Sequence, residues 1–82
     1  PHRGGMMRRR SMDLRVVVGA NIRALREARG VPQDELAHVA EIHQTYLSGI
    51  ENGKRNISLR VLERLAAALA VTEAELVRRK DR

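Results

Sequence analysis

The residues best suited to chemistry lie between Gln33 and Arg55, in QDELAHVAEIHQTYLSGIENGKR. At helical spacing, Gln44, Thr45, Ser48 and Gly49 fall on one side of a short segment, and Leu47 and Ile50 fall on the other. The outward set is small and hydrogen-bonding, with no long charge among its members. Amide and hydroxyl side chains of this kind match the donor and acceptor pattern that base pairs present in the DNA major groove.

Other chemistries lack their parts. Asp34 and Glu35 form a carboxylate pair, but adjacent acids in a first helical turn are accounted for by the positive end of the helix macrodipole. The three histidines, His2, His38 and His43, form no set with metal-ligand spacing alongside Asp or Glu. There is no cysteine, hence no disulfide, no thiolate metal site and no thiol nucleophile. No nucleophile–base pair and no phosphate-cradling glycine loop can be found. The expectation is a chain that is not an enzyme and uses no cofactor or metal.

Five helices must position these residues. The first runs from about Asp13 to Arg29, with Leu14, Val17, Val18, Ile22 and Leu25 as its apolar stripe and Gly30 as its stop. The second begins near Pro32–Gln33 and ends near Ala40, burying Leu36, Ala37 and Ala40. The third spans about Gln44 to Asn52, with Gly53 ending it. Ile42 and Leu47 sit at the spacing of a hydrophobic staple across His43, which reads as a weak cap. The fourth follows Ser58 and runs to about Ala70 on a stripe of Leu59, Leu62, Leu65, Ala66 and Leu69. The fifth starts at Thr72, where T-E-A-E fits a capping box with Glu75 reaching back. No strand pattern and no internal repeat competes. Two short helices joined by a tight turn, the second with a polar outer face, form a helix-turn-helix layout, which sets its second helix in the major groove.

Eighty-two residues make one small domain. Tyr46 is the only aromatic residue, so the core must be Leu, Ile, Val and Ala, as suits a helical bundle. The net charge of +6 sits at the ends. Residues 16–77 carry seven basic and eight acidic side chains and are nearly neutral. Residues 1–12 form a basic arm outside the predicted domain of residues 13–79, and residues 80–82 form a basic tail. Arg8–Arg10 are either solvated, disordered tail or a phosphate-touching arm that adds salt-dependent affinity. Met6, Met7 and Met12 are all plausible start positions, which leaves the nativeness of the arm open. No apolar run spans a bilayer and nothing resembles a signal peptide, so a cytoplasmic protein is expected.

Several blocks agree, in order and spacing, with a known pattern: Q-x-x-L-A at Gln33, Leu36 and Ala37; Y-L-S-x-I-E-N-G-K-R-N from Tyr46 to Asn56; S-L-x-x-L from Ser58 to Leu62; L-A-x-A-L from Leu65 to Leu69; and Val71–Thr72. Over roughly residues 16–77 the chain resembles the Cro and phage-repressor (XRE-like) class of helix-turn-helix DNA-binding domains. Within it, T-Y-L-S-G-I-E followed by R-N and S-L is most similar to the controller proteins of restriction–modification systems.

The resemblance implies an all-α, compact five-helix fold like that of lambda repressor, and a transcriptional regulator. Such a protein binds double-stranded DNA as a homodimer on a pseudo-palindromic operator. Gln44, Thr45 and Ser48 would read bases. Gln33, His43, Tyr46, Asn52, Lys54, Arg55 and Asn56 would meet the backbone, with Gln33 on a phosphate. Tyr46 has an equal alternative, packing its ring over the helix pair. Arg26 and Glu51 would form a partly buried ion pair tying the first helix to the third. The dimer interface would use Leu69, Val71, Leu76 and Val77.

Three positions depart from the pattern: Glu41 where the turn usually has Gly, Pro32 where a capping Ser or Thr is usual, and Gly49 where some relatives carry a base-reading side chain. The last shifts weight to DNA shape. A second class of function stays open, an antitoxin-type module that binds a protein partner as well as DNA. A membrane-surface role lacks the amphipathic Trp/Phe/Leu face it needs.

Overall fold

A computed structural model describes residues 12–80. The chain forms α1 (Leu14–Ala28), α2 (Gln33–Ala40), α3 (Gln44–Glu51), α4 (Leu59–Leu69) and α5 (Glu73–Val77), with no strand among the described residues. This is the predicted five-helix, all-α architecture. The basic arm, apart from Met12, lies outside the described residues, as do the last two residues of the tail. None of the helices is long and apolar enough to cross a membrane.

Each helix start has a local cause. The Asp13 carboxylate accepts from the Arg15 backbone N–H at 2.9 Å and so caps α1. The Ser58 hydroxyl accepts from the Val61 N–H at 3.1 Å and starts α4. Thr72 does the same for α5 through the Glu75 N–H at 3.3 Å. Only this hydroxyl half of the expected capping box forms among the described residues. α2 and α3 start differently, because neither Pro32 nor His43 makes a side-chain cap bond. His43 is therefore at the cap position without capping. Asp34 and Glu35 in the first turn of α2 favour its positive end instead.

The ends of α1 to α4 share one device. A residue in the left-handed region follows each helix, and the next residue's N–H turns back to a carbonyl five positions earlier. The left-handed residues are Gly30 (φ 67°), Glu41 (φ 62°), Gly53 (φ 73°) and Ala70 (φ 60°). The returning bonds are Val31 N to Arg26 O (3.1 Å), Ile42 N to Ala37 O (3.0 Å), Lys54 N to Gly49 O (2.9 Å) and Val71 N to Ala66 O (3.0 Å). Val31, Ile42 and Val71 then pack on the core, so each turn delivers an apolar side chain inward. Glu41 and Ala70 take a conformation that costs a β-carbon-bearing residue free energy.

The core is aliphatic. Ile22, Leu36, Leu47, Ile50, Leu65, Leu69 and Leu76 are its largest fully buried side chains, drawn from all five helices. Ile42 and Tyr46 pack on its edge. Several expectations need correction. Leu14 and Leu59, placed on core stripes by periodicity, point outward, with Leu59 80% exposed as the first residue of α4. Leu69 and Leu76, expected at a dimer interface, have 1% and 0% exposure and fill the protomer's own core. Their apolar character is used up by packing α5 and the end of α4 onto α1 and α2. Of that predicted set, Val71 is half-buried and only Val77 is exposed. A charge at Leu76 would unfold the domain rather than separate two copies.

Two buried features tie α1 to its neighbours, and periodicity does not reveal either. The Asn21 amide, 4% exposed, donates to the Leu76 and Arg78 carbonyls at 2.9 Å each and so closes the end of α5. Gly19 lies so close to α3 that a β-carbon there would sit 2.1 Å from the Ile50 carbonyl oxygen.

Glu41→Gly and Ala70→Gly are each expected to raise stability by about 1 kcal/mol, since glycine removes the left-handed strain. Urea unfolding followed by circular dichroism measures this, and no gain in either variant would contradict the strain. The Asp13 carboxyl is held at about 2 by its hydrogen bonds from the Arg15 side chain and backbone. Because the folded value is depressed below the ordinary 3.8, this cap supports α1 above pH 4 and is lost as the pH falls towards 2. A carboxyl resonance of Asp13 titrating near 4 would contradict the cap.

Candidate nucleic-acid interface

The outer face of α3 is set by a chain of hydrogen bonds that begins at a carboxylate in the interior. Glu51, the last residue of α3, has a side chain with 0% exposure. Such a charge is tolerated only when its oxygens are paired. Arg26 of α1 supplies the pairing, with Nε to Oε2 at 2.7 Å and Nη2 to Oε1 at 3.1 Å. The Arg26 Nη1 group also donates to the Val31 carbonyl at 2.9 Å, so it anchors the α1–α2 turn as well. These bonds to Glu51 hold the Arg26 guanidinium above its ordinary pKa. Arg23, half exposed, adds charge at 3.6 Å from Oε1.

The chain continues outward. Gln33 Nε2 donates to Glu51 Oε1 at 3.0 Å, which turns the Gln33 carbonyl oxygen away from the carboxylate. That oxygen accepts from Gln44 Nε2 at 3.2 Å. Gln44 is the first residue of α3 and is exposed. Its remaining N–H and its carbonyl oxygen are thus left as one donor and one acceptor, the pair that adenine matches. One N–H of Gln33 stays free for an acceptor such as a phosphate oxygen.

The remaining predicted residues group around this point. Thr45 is exposed beside Gln44, and Ser48 is half-buried one turn later. His43 is exposed at the head of α3. Asn52, Lys54, Arg55 and Asn56 are all exposed in the loop after α3. Tyr46 serves this loop: its hydroxyl donates to the Asn56 carbonyl at 2.9 Å, and the Arg55 guanidinium lies 5.9 Å above its ring. Of the two readings of Tyr46, this geometry favours packing.

Gly49 has a local explanation in the same group. A β-carbon there would come within 2.5 Å of Arg55 Cγ, so its bare backbone leaves the lane along which Arg55 lies. Sequence reading missed Gly19, although a glycine inside VVVGANI is a signal, since it costs about 1 kcal/mol against Ala unless packing requires it. The Gly49–Arg55 fit carried no such signal, because it joins a helix to a loop whose path was not legible. Among the described residues no cluster of His, Cys, Asp or Glu is arranged to hold a metal.

Comparison with known proteins agrees with this geometry. A helix-turn-helix family model matches residues 22–76. An uncharacterized HTH-type transcriptional regulator of Sinorhizobium fredii, y4dJ, is 41% identical over 70 residues, covering 85% of this chain and 91% of that protein. The control protein C.MunI of a Mycoplasma species is 40% identical over 65 residues, covering 78% and 88%. Among solved structures, the restriction–modification controller protein C.AhdI of Aeromonas hydrophila superposes with a TM-score of 0.74 at 39% identity, covering 76% of this chain and 94% of that one. The chain belongs to the helix-turn-helix family.

Glu51→Ala should destabilise the fold by about 3–5 kcal/mol, because it strands the Arg26 guanidinium in a nearly buried position. Gly19→Ala should be comparably damaging, since backbone rather than a movable side chain blocks the added carbon. Urea denaturation checks both, and a loss below about 1 kcal/mol in either would contradict the packing described.

Proposed function

We propose that this helix-turn-helix protein is a sequence-specific DNA-binding transcriptional regulator of the restriction–modification controller type, which binds a pseudo-palindromic operator as a homodimer. The observation that carries the reading is the relay from the buried Glu51 through Gln33 to Gln44. It fixes, before any DNA arrives, which hydrogen-bonding groups the head of α3 offers. Similarity to C.MunI and C.AhdI supports the controller placement.

Each residue then has a role. Gln44 reads a base by its free donor and acceptor, and Thr45 offers a hydroxyl and a methyl for a thymine or an adjacent base. Ser48 lies at the groove edge. Gln33 and the amide-rich head of α2 meet a phosphate. Lys54, Arg55, Asn52 and Asn56 follow the backbone beyond α3, with Arg55 steered by Tyr46 and His43 close to the helix head. Two such α3 helices must lie about one DNA turn apart, roughly 34 Å, to enter successive grooves on one face. Binding by a two-fold pair therefore predicts an inverted repeat.

Selection of duplexes from a random pool should return an inverted repeat with half-sites about one turn apart. On the selected site, Thr45→Ala should cost about 1–3 kcal/mol while leaving binding to random DNA unchanged. Lys54→Ala should weaken both equally and lower the slope of affinity against salt by about one ion. Selection of a single half-site, or an equal loss for Thr45→Ala on both DNAs, would contradict the reading.

A further inference from the structure

Glu51 is surrounded by more positive charge than it needs. Arg26 alone gives it a two-point ion pair, with Nε on Oε2 at 2.7 Å and Nη2 on Oε1 at 3.1 Å. Gln33 Nε2 adds a third donor, on Oε1 at 3.0 Å. Arg23 then stands half exposed with its Nε 3.6 Å from that same oxygen. At this distance it makes a charge contact and not a hydrogen bond. Among the described residues the Arg23 guanidinium makes no other ion pair, and its N–H groups have no partner. Two guanidiniums around one carboxylate leave one positive charge in excess. Arg23 carries that excess at the surface, because Arg26 is nearly buried.

The backbone fixes the place of this charge. Gly19, one turn earlier on the same face of α1, lets that helix close on the Ile50 and Glu51 carbonyls. Arg23 is thereby set beside the end of α3, where the loop beginning at Asn52 leaves the helix. The oxygen that it shares with Gln33 sets it beside the head of α2 as well. From α1 it thus adjoins the two groups that the reading above gives to the DNA backbone. Stability does not account for it, since both Glu51 oxygens are hydrogen-bonded without it and an exposed ion pair contributes little.

We infer that Arg23 is a further DNA-backbone residue, whose guanidinium donates to the phosphate strand between the points met by Gln33 and by the loop from Asn52 to Asn56. The inference rests on the DNA-binding reading above and extends its line of contacts to α1. Glu51 serves as the aiming point. Its charge draws the Arg23 side chain over the interface, while its oxygens are occupied by Arg26 and Gln33, so the planar fork of Arg23 stays available for phosphate oxygens.

Fluorescence anisotropy with the selected duplex and with a random one, over a salt series, tests this. Arg23→Ala should bind both duplexes roughly tenfold more weakly. It should also reduce the slope of log affinity against log salt by about 0.9, with an unchanged urea midpoint. Arg23→Lys should recover most of the slope, because it keeps the charge that displaces a counterion. An unchanged slope in Arg23→Ala, a loss confined to the selected duplex, or a lowered urea midpoint would overturn the assignment. Lys54→Ala, measured beside it, separates the inference from the reading it rests on. A slope reduced by Lys54→Ala but untouched by Arg23→Ala removes Arg23 alone, whereas wild-type binding that ignores both sequence and salt removes DNA reading itself.

Discussion

A carboxylate with no solvent contact sits at the end of α3, and the placement of three helices follows from satisfying it. Glu51 draws Arg26 from α1 and Gln33 from α2, and Arg26 also grips the carbonyl of Val31 in the turn between them. A neutral, apolar substitute could pack as well or better, since buried ion pairs seldom add net stability. What the pair adds is direction. Its hydrogen bonds have fixed geometry, and they run outward to an exposed amide at the head of α3. The interior thus determines the polarity of the surface that meets the ligand.

The turns complement this arrangement. Four successive helices end in a left-handed residue followed by a returning N–H, and three of those turns send an apolar side chain back into the core. Helices this short have little stability alone, so their ends must be held by the neighbours they pack against. The strain at Glu41 and Ala70 persists because Ile42 and Val71 are anchored on either side of a packed core. Gly19 does similar service between α1 and α3, where its missing β-carbon lets Glu51 approach Arg26.

Much of this was legible in the residues. Helical periodicity located all five helices, and the starts near Asp13, after Ser58 and at Thr72 were placed within a residue, although only Thr72 was recognisable as a cap. The polar set on α3 and the Arg26–Glu51 pairing were also visible, the first from spacing and the second through family resemblance. Periodicity failed where an apolar residue falls at a helix end. Leu14 and Leu59 continue a stripe in sequence, but in the first turn the neighbouring helices no longer cover them. At Leu69 and Leu76 periodicity was right about burial and the interface assignment was wrong, because a surplus of apolar residues near the C-terminus looks the same whether α5 packs on its own protomer or on another. Relations between distant segments, such as Asn21 with the end of α5 or Gly49 with Arg55, depend on loop paths that no local pattern encodes.

The central claim is that α3 presents a preset hydrogen-bonding face to the bases of a particular DNA sequence. The most direct test is fluorescence anisotropy of the protein with the duplex upstream of its own gene, beside a scrambled duplex, across a salt series. The account predicts tight binding to the first duplex, weaker binding to the second, and affinities for both that fall as salt displaces the phosphate contacts. Equal, weak binding to both duplexes, or affinity that does not respond to salt, would contradict it.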